Sequence, residues 1–309
     1  MIDYIVGVGH CCADHICTIE QYPPEDGSTH ITAMEEQGGG AVGTALVAAA
    51  RLGASARLIG NTGDDAIGDS ILDGFRQEQV DTSLVERIPG GRSSSSYVMV
   101  DPLRGTRTKF PFHDALPSII WTEEKKQAVG KAAVLHLDGT QYDNAWAAAQ
   151  IARAAGVPVS LDGCSMRPDN ERNVRLASAA DFLIMNARYP LRVSGKDSME
   201  EALLTMARWG PRVVISTCGK DGCFLVQDGQ VLHLPAFPVQ AVDTTGAGDV
   251  FHGAFLAGWL RKMPLLDCIR FASAVSALKC LKPGGRAGIP SLEQVSRFLR
   301  EQGGSWFQR

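Results

Sequence analysis

One short stretch of the chain combines acidic residues with glycines, DTTGAGDVFHGAF at residues 243–255. Within this stretch, Gly246, Ala247 and Gly248 precede an apolar run with helical spacing that begins at Val250 and continues to Leu260. The N–H groups at a helix N-terminus have no helical partner and lie at the positive end of the helix dipole. Small residues let an anion approach those N–H groups closely. The stretch therefore predicts an anion hole built from backbone amides.

Asp249 lies at the mouth of this predicted hole, where its carboxylate would repel a phosphate. An acid fits there if it removes a proton from a hydroxyl group that then attacks the phosphate held by the amides. The alternative is an Asp that caps a structural helix. The residue is therefore predicted to be either a phosphoryl-transfer base or a helix cap.

Strand-like runs alternate with Ala- and Leu-rich helical segments along the chain. Apolar strands between helices predict an α/β fold, with a mainly parallel central sheet and helices on both faces. The ligand site of such a sheet lies at the carboxyl ends of its strands. The predicted strands are 5–9, 56–63, 132–139, 157–163, 180–186 and 212–219, and the predicted helices are 41–53, 68–79, 145–156 and 198–210.

Two stretches, 18–37 and 93–110, break this alternation and read as short strands around a turn. They predict a small antiparallel flap, a β lid, beside the main sheet, with ordinary edge decoration as the alternative. The sequence shows no repeat, low-complexity tract or linker that would separate independent domains. We expect residues 1–309 to form a single domain.

Composition and charge limit the classes of function. With 45% hydrophobic and 21% charged residues, the chain has the composition of a soluble globular protein. A net charge of −4 without a dense Lys/Arg run argues against a nucleic-acid or anionic-membrane partner. The N-terminal region lacks a basic segment followed by an apolar core, and no apolar run is long enough to span a membrane. These features predict a cytoplasmic protein whose eight cysteines are thiols.

Several motifs resemble those of the ribokinase, or PfkB, family of sugar and nucleoside kinases, and they occur in the family's order. AVDTTGAGDVFHGAF resembles the C-terminal signature, and GGGAVGTALVAAARLG (38–53) its N-terminal counterpart. VGHCCADHI, NTGDDAIGDSILDGF and STCGKDGCFLV resemble three further family segments. The resemblance implies a ribokinase-like fold and ATP-dependent phosphoryl transfer to a hydroxymethyl group of a small sugar. It makes Asp249 the base and the amides of Gly246 to Asp249 the anion hole.

The resemblance also assigns a sugar side to the site. Asp14 would bind sugar hydroxyls, because an ionised carboxylate accepts two or more hydrogen bonds. Gly39 and Gly40 would let the backbone approach the sugar. Thr44 stands where many members have Asn and keeps a polar contact. Arg107, on the second lid stretch, would reach a charged substituent, with a solvated surface charge as the alternative.

On the nucleotide side, the resemblance places a loop beneath the nucleotide and one residue near the adenine. Thr217, Gly219 and Gly222 match the loop, and Ser273 stands at the position near the adenine. Asn186 matches the first residue of the family's N-x-x-E motif, which organises Mg²⁺ and the phosphates. Tyr189 replaces the glutamate of that motif.

Two metal sites are implied by the same resemblance. One site is for the Mg²⁺ that accompanies ATP. Its N-x-x-E glutamate is missing in this chain, and Asp162 on the LDG turn is a candidate substitute. Asp243 and Thr245 match positions that hold a monovalent cation, K⁺, in some members. The second wall of that cation site would come from residues 280–290, where Gly288 replaces a common side-chain ligand.

The sequence leaves the acceptor open. FASAVSALKCLKPGGRAGIP resembles the sulfofructose kinase branch of the family, whereas the lid lacks the lysine expected for a sulfonate. The alternatives are a nucleoside kinase with an aromatic shelf from Tyr97 or Phe112, and a non-catalytic sugar or nucleotide sensor. Lids of this family often pair between subunits, which implies a homodimer through residues near 18–37 and 93–110.

Overall fold

The computed structural model describes residues 3–104, 106–112, 116–164 and 169–302. Its strands are β1 (Tyr4–Val8), β2 (Cys12–Ile19), β3 (Ile31–Gly39), β4 (Ser55–Gly63), β5 (Val80–Ile88), β6 (Ser95–Asp101), β7 (Thr106–Phe112), β8 (Val134–Leu137), β9 (Val159–Gly163), β10 (Phe182–Asn186), β11 (Val213–Thr217), β12 (Cys223–Gln227) and β13 (Gln230–Leu234). Its helices are α1 (Ala41–Arg51), α2 (Ala66–Gln77), α3 (Glu123–Gly130), α4 (Tyr142–Ala154), α5 (Asn170–Ser178), α6 (Arg188–Ser194), α7 (Met199–Ala207), α8 (Ala247–Leu260), α9 (Leu265–Lys279) and α10 (Leu292–Glu301).

The central sheet has nine strands in the order β13-β12-β11-β10-β9-β8-β1-β4-β5. Neighbouring strands run parallel except at the β11–β12 and β12–β13 pairs, which are antiparallel. This confirms the predicted mainly parallel α/β sheet.

The helix predicted at 68–79 begins earlier, at Ala66, because the Asp65 side chain caps it by accepting the N–H of Gly68 at 2.8 Å.

Alternate residues of the central strands enter two separate cores, one on each face of the sheet. Ile184 and Ile215 join the core packed by α1, α8 and α9, whereas Leu183 and Val214 join the core packed by α4 and α7. Successive side chains of a strand point to opposite faces, so a strand with apolar residues at every position is buried on both. The predicted cover of helices on both faces is confirmed.

Helix α8 begins beside α1, and this contact sets the shape of the site. A Cβ atom at Gly253 of α8 would overlap the Ala45 carbonyl of α1, so the glycine lets the two helices approach backbone to backbone. Helix α8 starts at Ala247, three residues before the predicted Val250. The Gly-Ala-Gly stretch therefore forms the N-cap and first turn of the helix rather than a loop ahead of it.

The second sheet has four strands in the order β3-β2-β6-β7 and is called the small sheet below. Its outer pairs, β2–β3 and β6–β7, are antiparallel as predicted, but its central pair, β2–β6, is parallel. The prediction of a fully antiparallel flap was therefore wrong at its centre. Strands β2 and β6 are joined by a long crossover through the central sheet, and such a connection can join parallel strands, which a tight turn cannot.

One face of the small sheet turns toward the central sheet. Asp14, Ser96 and Pro111 are direct neighbours across β2, β6 and β7 in this sheet. Lys109 and Arg107 lie two and four residues before Pro111 on β7, and the alternation of side chains places all three on the same face. Across residues 3–104, 106–112, 116–164 and 169–302, no helix combines the length and the apolar character that crossing a bilayer requires.

Candidate active site

A cavity of about 210 Å³ lies between the small sheet and the first turns of α1 and α8. The acids predicted for sugar binding and for catalysis both line it, with Asp14 on β2 and Asp249 on α8. Five other predicted site residues line it too: Gly39, Gly40, Thr44, Thr245 and Gly246. Sequence reasoning missed several lining residues, among them His10 just before β2 and four residues on β2, β6 and β7: Cys12, Ser96, Lys109 and Pro111.

The glycines on the Asp14 side make room for that carboxylate and for the start of α1. A Cβ atom at Gly39 would overlap the Asp14 carboxylate, and one at Gly40 would overlap the carbonyl of His10. Gly40 is the N-cap of α1 with a φ of 87°, a left-handed conformation that favours glycine. The family motif GGG is therefore required by close approach and by backbone conformation.

A buried arginine supports this wall from behind. Arg286 donates to the Gly39 carbonyl at 2.8 Å and to the Thr44 hydroxyl at 3.4 Å, and its guanidinium lies 4.9 Å from the Phe75 ring centroid. Thr44 is almost fully buried. Its hydroxyl is therefore held by the protein as well as lining the cavity. The sequence showed this arginine only as a charge in the GGRAG segment.

Asp249 does not cap helix α8. The N-cap is Gly246, with a φ of 72°, and this glycine has no side chain to form a cap hydrogen bond. Asp249 is the third residue of the helix and lies against the cavity. Burial and the negative charge of Asp162 raise its pKa, His252 and Lys109 oppose the shift, and the resulting pKa is about 7. A carboxyl group with such a pKa is suited to exchange a proton near neutral pH.

The first turn of α8 leaves two backbone N–H groups without a helical partner. The N–H of Val250 closes the turn on the Gly246 carbonyl at 2.9 Å, and the N–H of Ala247 reaches the Thr244 carbonyl at 3.2 Å. The geometry of a helix start leaves the N–H groups of Gly248 and Asp249 without a helical acceptor. A Cβ atom at Gly248 would contact nothing within 4 Å. Packing within the protein therefore does not require a glycine at position 248, and the space beside it is open.

A buried aspartate–histidine contact lies behind Asp249. Asp162 and His252 are 3.2 Å apart, and each side chain is only 3% exposed. The sequence placed Asp162 on a turn, but it lies inside β9, because the LDG segment ends a buried strand. Apart from the Cys164 thiol, whose hydrogen bond helps to lower the pKa of Asp162, one carboxylate oxygen of Asp162 has no hydrogen-bond partner among the described residues. A carboxylate oxygen is a ligand type that Mg²⁺ prefers, so Asp162 fits the site of that ion.

The predicted nucleotide residues lie at the carboxyl ends of β10 and β11. Asn186 and Thr217 are register partners in these strands. Asn186 accepts the N–H groups of Arg188 and Tyr189 at 3.0 and 3.2 Å and so holds the first turn of α6. Tyr189 is 2% exposed. The residue in place of the motif glutamate therefore packs in a core instead of reaching toward phosphates.

The turn between β11 and β12 contains the other two predicted loop residues. Gly219 and Gly222 have φ values of 59° and 84°, and a Cβ atom at Gly222 would overlap the Leu234 carbonyl. Backbone conformation and packing therefore require Gly222 whatever the turn binds. Ser273 lies half-buried on α9. Within the described part of the chain, these nucleotide-side residues lie outside the lining of the small cavity.

Asp243, the predicted cation ligand, is already surrounded by donors of the protein. Thr245 donates to Oδ1 through both its N–H and its hydroxyl, at 2.8 and 2.7 Å, and Gly284 donates to Oδ2 at 2.8 Å. Arg107 also pairs with Oδ1 at 2.8 Å, so it does not line the cavity as a substrate residue would. Lys279 donates its ammonium to the Asp243 carbonyl at 2.9 Å. With these oxygens engaged, Asp243 and Thr245 do not fit a monovalent cation.

The sequence and the fold are both similar to those of known kinases. A family model described as pfkB family carbohydrate kinase matches residues 2–292. The chain is 30% identical to an ATP-dependent ribose-1-phosphate kinase of Halopiger xanaduensis, over 96% of this chain and 98% of that protein. It is 28% identical to a nucleoside kinase of Methanothermobacter thermautotrophicus, over 97% and 96%. The structure of Arabidopsis thaliana ribokinase, complexed with ribose and ATP, has the same fold, with a TM-score of 0.84, 24% identity and coverage of 97% and 99%. The chain therefore belongs to the pfkB family of carbohydrate kinases.

Proposed function

We propose that this ATP-dependent carbohydrate kinase phosphorylates a hydroxymethyl group of a small sugar held between Asp14 and Asp249. The observation that carries the proposal is the shared cavity, in which the two carboxylates lie on opposite walls beside the first turn of α8. Asp14 accepts hydrogen bonds from sugar hydroxyls, because an ionised carboxylate offers several acceptor sites. The two acids thus have different tasks, one in binding and one in chemistry.

In the proposed reaction, Asp249 takes the proton of the sugar hydroxyl as the oxygen attacks the terminal phosphorus of ATP. The new O–P bond forms while the bond from that phosphorus to the bridging oxygen of ADP breaks, and ADP leaves with the bond electrons. The amides of Gly246 to Asp249 form the anion hole, of which those of Gly248 and Asp249 have no helical acceptor and donate to the oxygens of the transferring group. Gly248 keeps the approach to them open.

ATP binds along the ends of β10 and β11 in this proposal, with Thr217, Gly219 and Gly222 beneath it and Ser273 near the adenine. When bound with ATP, Mg²⁺ offsets the negative charge of the phosphates during transfer. Asp162 is the residue that would hold this ion or its water, since Asn186 is engaged by α6 and Tyr189 is buried. Before the ion binds, the negative charge of Asp162 also helps to raise the pKa of Asp249.

The cavity favours a sugar over a nucleoside. Its volume of about 210 Å³ is below the roughly 300–1,000 Å³ of sites for drug-sized ligands. The two aromatic residues that the sequence offered as a shelf for a base do not line it. Tyr97 stacks on His15 with ring centroids 4.8 Å apart, and Phe112 carries the Arg92 guanidinium at 4.3 Å.

A sugar with an anionic substituent is the second candidate acceptor. Lys109 lines the cavity, its charge acts on Asp249, and no ion pair holds it within the described residues. A phosphate, carboxylate or sulfonate on the sugar would give this cation a partner. One relative is a kinase of ribose-1-phosphate, which is a sugar of this class.

The test measures ADP release with ketoses, aldoses, sugar acids, sugar phosphates and nucleosides. Asp249→Asn keeps the shape of the side chain and removes the base, so turnover should fall by roughly 10²–10⁴-fold while ATP and sugar still bind. A variant with near-parental turnover would contradict the base, and release of no ADP with any acceptor would favour a non-catalytic sensor. Lys109→Met should raise KM for an anionic acceptor and leave KM for its neutral counterpart unchanged.

We also propose that two copies pair through the small sheet. Four large apolar side chains are exposed on it, Ile31 at 52%, Met34 at 66%, Tyr97 at 47% and Phe110 at 50%, and Tyr97 and Phe110 are direct neighbours across β6 and β7. Sheet edges and exposed apolar faces need a cover. A monomeric mass in solution at micromolar concentration would contradict this homodimer.

All eight cysteines are unpaired, which fits the reducing environment of the cytoplasm.

A further inference from the structure

We propose that Lys279 supplies, from within the chain, the positive charge that a monovalent cation would supply beside the anion-hole loop, so that this kinase needs no such cation. The inference rests on the proposed role of residues 243–249 as that loop. It starts from the disagreement between Asp243 and Thr245, which the sequence marks as cation ligands, and the donors that surround Asp243 in the structure.

Lys279 is a buried lysine at the C-terminal end of α9. Its exposed fraction is 0%, and it is among the largest fully buried side chains. Its ammonium lies 2.9 Å from the Asp243 carbonyl oxygen. Burial lowers the pKa of this lysine, while the nearby negative charge of Asp243 opposes the change. A buried ammonium is costly unless its charge is compensated and it is hydrogen-bonded; this one donates to a carbonyl and is stabilised by the negative charge of Asp243.

The two carboxylate oxygens of Asp243 also accept hydrogen bonds from the protein. Oδ1 accepts Thr245 and Arg107, and Oδ2 accepts the N–H of Gly284. Burial alone would raise the pKa of Asp243, but these hydrogen bonds and the Lys279 charge outweigh it and lower the pKa below its ordinary value. An added K⁺ would have to displace donors that are already charged or fixed in the backbone. The ammonium therefore takes the coordinating role at the Asp243 carbonyl.

A second donor on the same helix face shows what the ammonium does for the loop. Ser276, one turn before Lys279, donates its hydroxyl to the Ala247 carbonyl at 2.8 Å. In a trans peptide the carbonyl and the following N–H point in opposite directions. A carbonyl of Ala247 turned toward α9 directs the N–H of Gly248 away from α9. Lys279 and Ser276 together thus fix the orientation of the loop whose amides hold the phosphoryl group.

The first experiment compares the wild-type protein in potassium chloride and in choline chloride at equal ionic strength. Turnover and melting temperature should agree, with rates within about 2-fold, because no bound cation contributes transition-state stabilisation. A rise of roughly 10-fold or more in turnover on adding K⁺, with a matching rise in melting temperature, would overturn the proposal.

The second experiment removes the ammonium with Lys279→Ala, which leaves space at the Asp243 carbonyl. In choline the variant should lose stability and roughly 10-fold or more in turnover, and K⁺, NH₄⁺ or propylammonium should restore part of both. Lys125 offers a matched control, since it is 3% exposed and its ammonium contacts Glu86 at 2.6 Å and the Ile120 carbonyl at 3.1 Å. Lys125→Ala should lose stability without any response of turnover to these cations.

Parental turnover and stability of Lys279→Ala in choline would overturn the proposal, as would a loss that no cation relieves in a folded variant. If that variant does not fold, the wild-type comparison still decides, because its melting temperature responds to a bound cation whether or not the protein turns over. Failure of the proposed reaction is recognised separately, by an Asp249→Asn variant that stays active. The two ideas can therefore fail independently.

Discussion

Asp243 and Asp249 stand six residues apart in one motif, yet the protein treats them in opposite ways. Asp243 accepts hydrogen bonds from Thr245, Gly284 and Arg107, and its pKa is held below the ordinary value. Asp249 has no side-chain cap role on α8, and burial with the charge of Asp162 raises its pKa to about 7. One acid is fixed in its ionised form, and the other is poised to exchange a proton.

The difference teaches that one short motif can hold two acids in opposite electrostatic environments. Two titratable groups whose environments push their pKa values apart are a recurrent basis for dividing such roles. The division extends to the small sheet, where Arg107 pairs with Asp243 and Lys109 lines the cavity beside Asp249. Each acid thus has its own cation on β7.

The largest expected contrast comes from the same substitution at both acids. Asp243→Asn leaves Lys279 and Arg107 without their counter-charge and should lower the free energy of unfolding by roughly 1–3 kcal/mol. Asp249→Asn should be at least as stable as the parent at pH 8, because the raised pKa of Asp249 means that folding disfavours its ionised form. Urea unfolding of both variants measures this. Equal losses of stability would remove the distinction between the two acids.

The next contrast uses two glycines of the anion-hole turn. Gly248→Ala adds a methyl group in open space, so stability should hold while turnover falls roughly 10–100-fold as the methyl obstructs the phosphoryl group. Gly246→Ala should instead lose stability, because this residue has a φ of 72° and lies against the Gly285 carbonyl. Thermal melts and steady-state rates on the pair decide. A fully active Gly248→Ala variant would argue against an anion hole at this turn.

The smallest expected effect concerns the two cations on β7. The charge of Lys109 lowers the pKa of Asp249, so Lys109→Met should move the midpoint of the pH–rate profile upward, by less than about one unit. Arg107→Met should leave the midpoint unchanged and mainly reduce stability, because its partner is Asp243. A shift of the same size in both variants would show that the cations are not divided between the acids.

The sequence predicted the sheet and the two cavity acids, because these depend on local pattern and on motifs. Alternating strands and helices indicated the α/β fold, and the resemblance brought Asp14 and Asp249 to one site before any contact was known. Arg107 was predicted on the substrate, but Lys109 lines the cavity instead. Alternation places both side chains on one face of β7, and only the pairing of β7 with β6 and the approach to α8 decide which of them reaches the sugar side.

Long-range contacts explain what the sequence did not predict. Lys279 reads as an ordinary charge at the end of a largely apolar helix, and its contact with Asp243 joins residues 36 positions apart. Arg286 reaches Thr44 and Gly39 across more than 240 positions. The capping alternative for Asp249 also needed the structure, because Asp is a good cap and only the backbone of Gly246 shows where the helix begins.

The central claim is that the ionised form of Asp249 performs the chemistry, and the dependence of kcat/KM on pH tests it most directly. The raised pKa places the change from the protonated to the ionised carboxylate at about 7. Because the base works only when deprotonated, kcat/KM should rise tenfold per pH unit below this midpoint and level off above it. A profile that is flat from about pH 5.5 to pH 9 would contradict the account, since a base with this pKa would be largely protonated at the acid end.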